Sequence, residues 1–353
     1  MRQSRRAWIK EGFGQIVCIT TASAMAQGLG AQGGPFESAQ AESTGQARER
    51  TLYSGPIVDT HQHLWDLSRL KLPWVRGSTK LERNFTVADY LDATRGLGVE
   101  KAVYVEVAVD DSQLAEEAEL IIELCAARSG PTVAAVIGGR PASPEFGQYI
   151  RRFAQSPFVK GVRQLLPASE QDLWDRPEFI RGIQLLGELG LCFELCMPPT
   201  KLALADRLVS RCPQTRFVLD HCGNADPVAF MSKTRLREVK IDRPPQHSVY
   251  EWRKGIEALA SHPNVVCKIS GIVARVPEGR WSADDLAPIV NNCLEVFGED
   301  RVMFGSDWPV CLLGASLREW VEALRQIVAD RPVSFQRKLF YENALRFYGL
   351  STG

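Results

Sequence analysis

A single-domain (β/α)8 barrel, the TIM-barrel form of the α/β class, is the fold this sequence predicts. Eight short β-rich runs follow one another between Ile57 and Ser306, and amphipathic helical segments separate them. Polar and ionisable residues gather at the C-terminal ends of the runs, the face on which such barrels carry their active sites. A doubly wound open sheet is the competing architecture, but no glycine-rich phosphate loop follows the first run.

The chain begins with a segment unlike its body. Ser4-Arg5-Arg6-Ala7-Trp8-Ile9-Lys10 resembles the twin-arginine export motif, with Trp8 and Ile9 where Phe and Leu are usual. A weakly apolar stretch follows, and Ala24-Met25-Ala26 offers a small-x-small cleavage site, so residues 1–26 read as an export signal. Residues 27–55 are rich in Gly, Gln, Ser and Glu and read as a disordered linker. The expected location is periplasmic or otherwise exported, with a cytoplasmic protein as the alternative. Residues 56–351 are assigned to the barrel.

Within that body the expected strands are Ile57–His61, Ala102–Val107, Thr132–Ile137, Val159–Gln164, Cys192–Cys196, Phe217–His221, Val265–Ser270 and Val302–Ser306. The expected helices are Asp111–Ala127, Pro144–Gln155, Glu178–Leu189, Thr200–Arg211, Val249–Ala260, Ser282–Phe297, Leu317–Asp330 and Lys338–Tyr348. In Asp111–Ala127 apolar residues recur near i, i+3 and i+4, and acids at its start suit a helix N-terminus. Asp226–Ser248 is a long polar stretch and reads as a lid or substrate loop.

The formal net charge of the 353 residues is zero, which gives no reason to expect nucleic acid as a partner. No apolar run is long enough for a stable membrane span, so the expected partner is a small-molecule substrate; the fold class is also compatible with a homo-oligomer. The nine cysteines form no CxxC pair, and most lie in apolar runs where they read as small buried residues.

The chemistry is concentrated at the strand ends. His61 and His63 in VDTHQH stand two residues apart, so on a strand both imidazoles project to one side. Glu106 ends the second run, Arg163 and Gln164 the fourth, His221 the sixth; Lys268 lies in the seventh, and Asp307 follows the eighth. Ionisable groups in a barrel core are costly unless they pair or bind something. Glu106 and Arg163 can therefore be ion-pair partners or site residues, and Asp59 and Asp66 can cap turns or orient imidazoles. Trp65 and Trp308, next to these residues, can face a ligand ring or simply pack. His247 and His262 read as loop and surface residues, and no motif makes Cys222 a nucleophile.

VDTHQHLWD, KGVRQLL, FVLDHCGN, CKISGI and FGSDWPVC, in this order, resemble the amidohydrolase (metal-dependent hydrolase) superfamily. The similarity is to its amidohydrolase-related branch, which contains sugar-lactone hydrolases such as L-fuconolactonase and L-rhamnono-γ-lactonase, and 2-pyrone-4,6-dicarboxylate lactonase. It spans roughly Pro56 to Leu350. The resemblance implies a hydrolase that opens a sugar-derived lactone by water attack, with Asp307 as general base and His221 beside it. Amide hydrolysis or non-oxidative decarboxylation on the same site is the alternative. It implies a single divalent metal, zinc by donor type, on His61 and His63 with one or two of Glu106, His221 and Asp307. A metal-free mechanism stays open, with the histidines and Arg163 or Lys268 holding the oxyanion. Arg163, Lys268, Trp65 and Trp308 are the expected substrate contacts. The superfamily's two-metal pattern is not matched: the fifth run, CFELC, brings no histidine, and Lys160 comes early in the fourth.

Overall fold

The computed structural model describes residues 50–166 and 171–351. The expected export signal and residues 27–49 of the expected linker lie outside the described residues. The strands are β1 (Ile57–Gln62), β2 (Val99–Val105), β3 (Thr132–Gly138), β4 (Val159–Leu165), β5 (Cys192–Cys196), β6 (Arg216–Leu219), β7 (Val265–Ile269) and β8 (Val302–Phe304). They form one parallel sheet in the order β1 to β8. Strands covered on both faces need continuous apolar sequence, and the runs AVYV, TVAAVI and VVCKI supply it.

The sheet closes where β8 returns to β1. The Thr60 hydroxyl donates to Phe304 O (2.6 Å), Asp307 N to His61 O (2.9 Å), and His63 N to Trp308 O (2.8 Å). Asp59 clamps this seam by accepting from Ser306 N (2.8 Å), Ser306 Oγ (2.5 Å) and Tyr90 Oη (2.6 Å). It therefore acts as a structural carboxylate under the site. Asp66 caps the next turn through Ser68 N (2.9 Å).

The helical layer comprises α1 (Val87–Thr94), α2 (Leu114–Ala127), α3 (Phe146–Phe153), α4 (Pro177–Glu188), α5 (Leu202–Arg211), α6 (Lys233–Glu238), α7 (Val249–Ala260), α8 (Ala283–Phe297), α9 (Leu317–Ile327), α10 (Val333–Arg337) and α11 (Asn343–Tyr348). Each of the longer helices turns an apolar stripe inward, as with Phe179, Ile183 and Leu186 of α4 and Leu286, Ile289, Val290 and Leu294 of α8. Every such side chain removed from water contributes about 1.5–3 kcal/mol. Capping boxes at Ser282/Asp285 and Ser316/Glu319 set where α8 and α9 begin.

Several elements differ from the sequence expectation, helix α10 and the ends of β2, β6 and β8 among them. Helix α1 was not anticipated, although Thr86 and Asp89 form a capping box at its start. Asp111–Gln113 is a 3-10 turn before α2. The terminal helix is divided by a π-helical turn, Lys338–Glu342. The Asp226–Ser248 stretch holds a 3-10 turn, Pro227–Phe230, and α6, and Arg243 pins it to the buried Asp226 (2.6 Å).

Candidate active site

The ends of β1, β6 and β8 bring His61, His63, His221 and Asp307 together. His61 and His63 lie on the same side, as the i, i+2 spacing requires, with ring centroids 4.8 Å apart; His221 stands 4.4 Å from His61. Asp307 Oδ1 is 3.3 Å from His63 Nε2, 3.7 Å from His61 Nε2 and 4.0 Å from His221 Nε2. Two of these residues sit in strained backbone: Asp307 has φ 56° and His221 φ 54°, the left-handed region that costs a non-glycine residue about 1–3 kcal/mol. Cys222, Gly223 and Asn224 continue in the same region, so His221–Asn224 is one left-handed turn. Gly271 faces it, where a Cβ would stand 2.4 Å from His221 Nδ1, so only glycine leaves room for the ring.

Each imidazole is oriented by its other nitrogen. His63 Nδ1 meets Val105 O at 2.7 Å, so that nitrogen carries the hydrogen and Nε2 is turned toward Asp307. His221 Nδ1 is 2.9 Å from Ser270 Oγ. Burial holds His221 well below the ordinary histidine range, against the opposing pull of Asp307. Burial also holds His61 well below it, helped by the charges of Lys268, His63 and Arg163.

Arg163 reaches the site from β4. Its Nε donates to Glu106 Oε1 (2.9 Å) and its Nη1 lies 3.1 Å from His61 Nε2. Burial works to lower its pKa, but Glu106 and neighbouring acids carry it above the usual arginine value. Glu106 is thus the partner of Arg163 and also accepts from Ala108 N (2.7 Å). Its carboxylate is therefore engaged by Arg163 and the backbone, apart from the His61, His63 and Asp307 group.

Lys268, an expected substrate contact, is not among the residues that line the cleft. It is fully buried beneath the cleft, with Nζ 2.7 Å from both oxygens of Glu194, 3.6 Å from Asp220 and 3.3 Å from His61 Nδ1. Tyr348 Oη also donates to Glu194 (2.7 Å). Burial pushes the Glu194 carboxyl up to about 7 against the attraction of Lys268. Trp65 and Trp308, also expected contacts, are engaged by neighbouring aromatic residues. Trp65 donates to Arg83 O (2.7 Å) and packs on Phe85, and Trp308 packs on Phe85 and Tyr90 with centroids 5.3 Å away. Neither lines the cleft.

A cleft opens above these groups at the C-terminal face of the barrel. His63, His221, Asp307 and Arg163 line it, joined by Trp74, Asn224 and Arg275, which the sequence reading passed over. Arg275 donates to Asn224 Oδ1 (3.0 Å) and Gln246 Oε1 (2.7 Å). The one available signal was an arginine inside the apolar IVARV run that follows β7. Asp220, directly before His221, was also missed. It is fully buried, 3.5 Å from His61 and 3.6 Å from both Lys268 and Arg163. His247 is buried as well and accepts from Asp226 N (2.8 Å), so it braces the loop. His262 pairs with Asp206 on the helical layer (2.8 Å).

The donor set suits one divalent ion. His61, His63 and Asp307 offer ligand atoms within 4.8 Å of one another, and two imidazoles with a carboxylate are zinc-type donors. His61, His63 and Asp307 would hold such an ion, and Arg163 Nη1 stands 3.1 Å from His61 Nε2 beside them.

A parallel eight-stranded barrel with this histidine–carboxylate cluster at its strand ends is an enzyme of the barrel hydrolase class. The amidohydrolase family model matches residues 58–350, and the chain belongs to that family. An L-fucono-1,5-lactonase of Burkholderia multivorans is 29% identical over 306 residues, covering 83% of this chain and 96% of that one. An L-rhamnono-gamma-lactonase of Scheffersomyces stipitis is 22% identical over 345 residues, covering 83% of this chain and 98% of that one. Among solved structures, a zinc-bound amidohydrolase from Burkholderia multivorans superposes with a TM-score of 0.71 at 24% identity, over 84% of this chain and 100% of that one.

Proposed function

We propose that this enzyme hydrolyses a sugar-derived lactone to the open hydroxy acid. The observation that carries the reading is the convergence of Asp307 with His63 and His221 under a cleft walled by Arg163 and Arg275. The likeness to two sugar lactonases supports the substrate class.

In this reading Asp307 accepts a proton from a water molecule, and that water's oxygen attacks the lactone carbonyl. The carbonyl–ring oxygen bond then breaks, and Asp307 returns the proton to the departing alkoxide. His63 turns its Nε2 toward Asp307, because its own Nδ1 is fixed on Val105 O. Arg163 presents a permanent cation to the oxyanion that develops on the carbonyl, and a preorganised donor of this kind stabilises such charge by about 3–4 kcal/mol. Asn224 and Arg275 offer hydrogen bonds to ring hydroxyls, and Trp74 offers an apolar face. A divalent ion, which we take to be zinc, held by His61, His63 and Asp307 would add Lewis acidity at the carbonyl. The twin-arginine-like start of the chain supports an exported enzyme.

A pH-drop assay tests the reaction on aldonolactones, amides and aromatic carboxylic acids, with metal content measured on the same sample. The expected result is proton release on one or more aldonolactones with about one divalent ion per chain. Turnover confined to amides or aromatic acids overturns the reaction, and a full lactonase rate after complete metal removal overturns the role of the ion.

A further inference from the structure

Behind the wall of the site, Cys222, Cys267 and Cys293 bring their thiols to one point. The three sulfurs lie within 4.8 Å of one another, and all three side chains are fully buried. They come from three separate elements: the left-handed turn after β6, strand β7 and helix α8. Side chains alternate along a strand, so β7, which sends Lys268 into the barrel, turns Cys267 outward toward the helices. The left-handed turn likewise separates its residues: His221 and Asn224 line the cleft, whereas Cys222 does not. Cys222 Sγ is 3.7 Å and Cys267 Sγ 3.8 Å from the same carbonyl, Lys268 O. Among the described residues this is the only potential ligand group that contains a cysteine, and it contains no imidazole and no carboxylate.

Packing alone asks only for small apolar side chains at such positions, and alanine or valine satisfies that need. Three convergent thiols in a dry pocket have a further property, since sulfur donors without nitrogen or oxygen select soft ions. Zinc takes four ligands in a closed site, and the group supplies three. We propose that Cys222, Cys267 and Cys293 form a three-coordinate site for one thiophilic d10 cation of the copper(I) type, separate from the histidine–carboxylate cluster. On binding, sulfur–metal bonds replace S–H bonds, the displaced protons pass to solvent, and neither the metal nor the sulfur changes oxidation state. The site is closed to solvent, so loading accompanies folding or a local opening.

The test uses the whole chain, kept anaerobic and reduced, prepared both from copper-supplemented cells and by incubating purified protein with copper(I) bicinchoninate. The expected result is one copper per chain, held against the chelator, with X-ray absorption showing sulfur neighbours and no imidazole nitrogen. Cys293→Ser and Cys267→Ala should each lower copper retention at least tenfold while keeping the wild-type circular dichroism spectrum. Absence of copper after both routes overturns the proposal. So do a nitrogen-containing coordination shell and retention by the two variants equal to wild type. Should a variant not fold, the X-ray absorption of wild type decides alone.

Discussion

Asp307 Oδ1 stands 3.3 Å from His63 Nε2, and the opposite nitrogen of the same ring meets Val105 O at 2.7 Å. A carbonyl oxygen only accepts, so the ring hydrogen lies on Nδ1. The Nε2 lone pair then faces a carboxylate, and a proton or a metal ion belongs between them. Asp307→Asn keeps the size of the side chain and removes its ability to take a proton. The expected result is a fall in kcat of about 10²–10⁴-fold, with the thermal midpoint within a few degrees of wild type. Steady-state kinetics and a melting curve on the same preparation check it, and a variant with near-normal kcat removes Asp307 as the base.

Arg163 and Glu106 form a buried pair at 2.9 Å on β4 and at the end of β2. Removing one partner leaves the other charge uncompensated, which typically costs 3–5 kcal/mol. Arg163→Met should therefore lose about that much in denaturant unfolding, and Arg163→Met/Glu106→Leu should recover part of the loss. Equal stability of wild type and the single variant would show that Glu106 finds another partner.

Much of this arrangement was legible in the sequence, and the misreadings share one physical origin. Apolar runs separated by helical periodicity marked the eight strands, because a barrel strand is covered on both faces. The i, i+2 spacing brought His61 and His63 together correctly, since pleat alone decides side. Depth along the barrel axis is a different matter. Lys268 points inward as its strand position implies, yet it lies below the cleft beside Glu194. Trp65 and Trp308 neighbour site residues in sequence, but their rings turn into the Phe85 and Tyr90 cluster. Asn224 and Arg275 enter the cleft by way of a left-handed turn and a short 3-10 turn, Ile272–Arg275, and no hydrophobic period encodes either.

Lys268 gives a direct test of that depth. Its ammonium is locked by Glu194 at 2.7 Å in a fully buried setting. Lys268→Met should destabilise the fold by about 3–5 kcal/mol because Glu194 and Asp220 lose the buried cation they share. Lys268→Met/Glu194→Leu should restore part of that stability. A Lys268→Met protein of full stability with a greatly raised KM would return the lysine to the substrate.

Glu117 on α2 is a buried acid outside the site, and it makes stability depend on pH. Its Oε1 accepts from Tyr104 Oη (2.8 Å) and Val107 N (2.7 Å), while Oε2 has no partner. Burial, with the nearby charge of Glu106, pushes its carboxyl up from 4.5 to about 8. Between those two values the native protein holds a proton that the unfolded chain has released. Stability from this group is therefore complete below pH 4.5 and is lost as pH rises toward 8. Glu117→Gln is neutral throughout and keeps an oxygen for Tyr104 and Val107. Relative to this variant, wild type should lose stability as pH rises from 5 to 8, at a rate approaching about 1.4 kcal/mol per pH unit. Denaturant unfolding of both proteins at several pH values across that window measures the difference. Parallel curves would mean that Glu117 ionises at its ordinary value and that the missing partner of Oε2 is supplied by solvent.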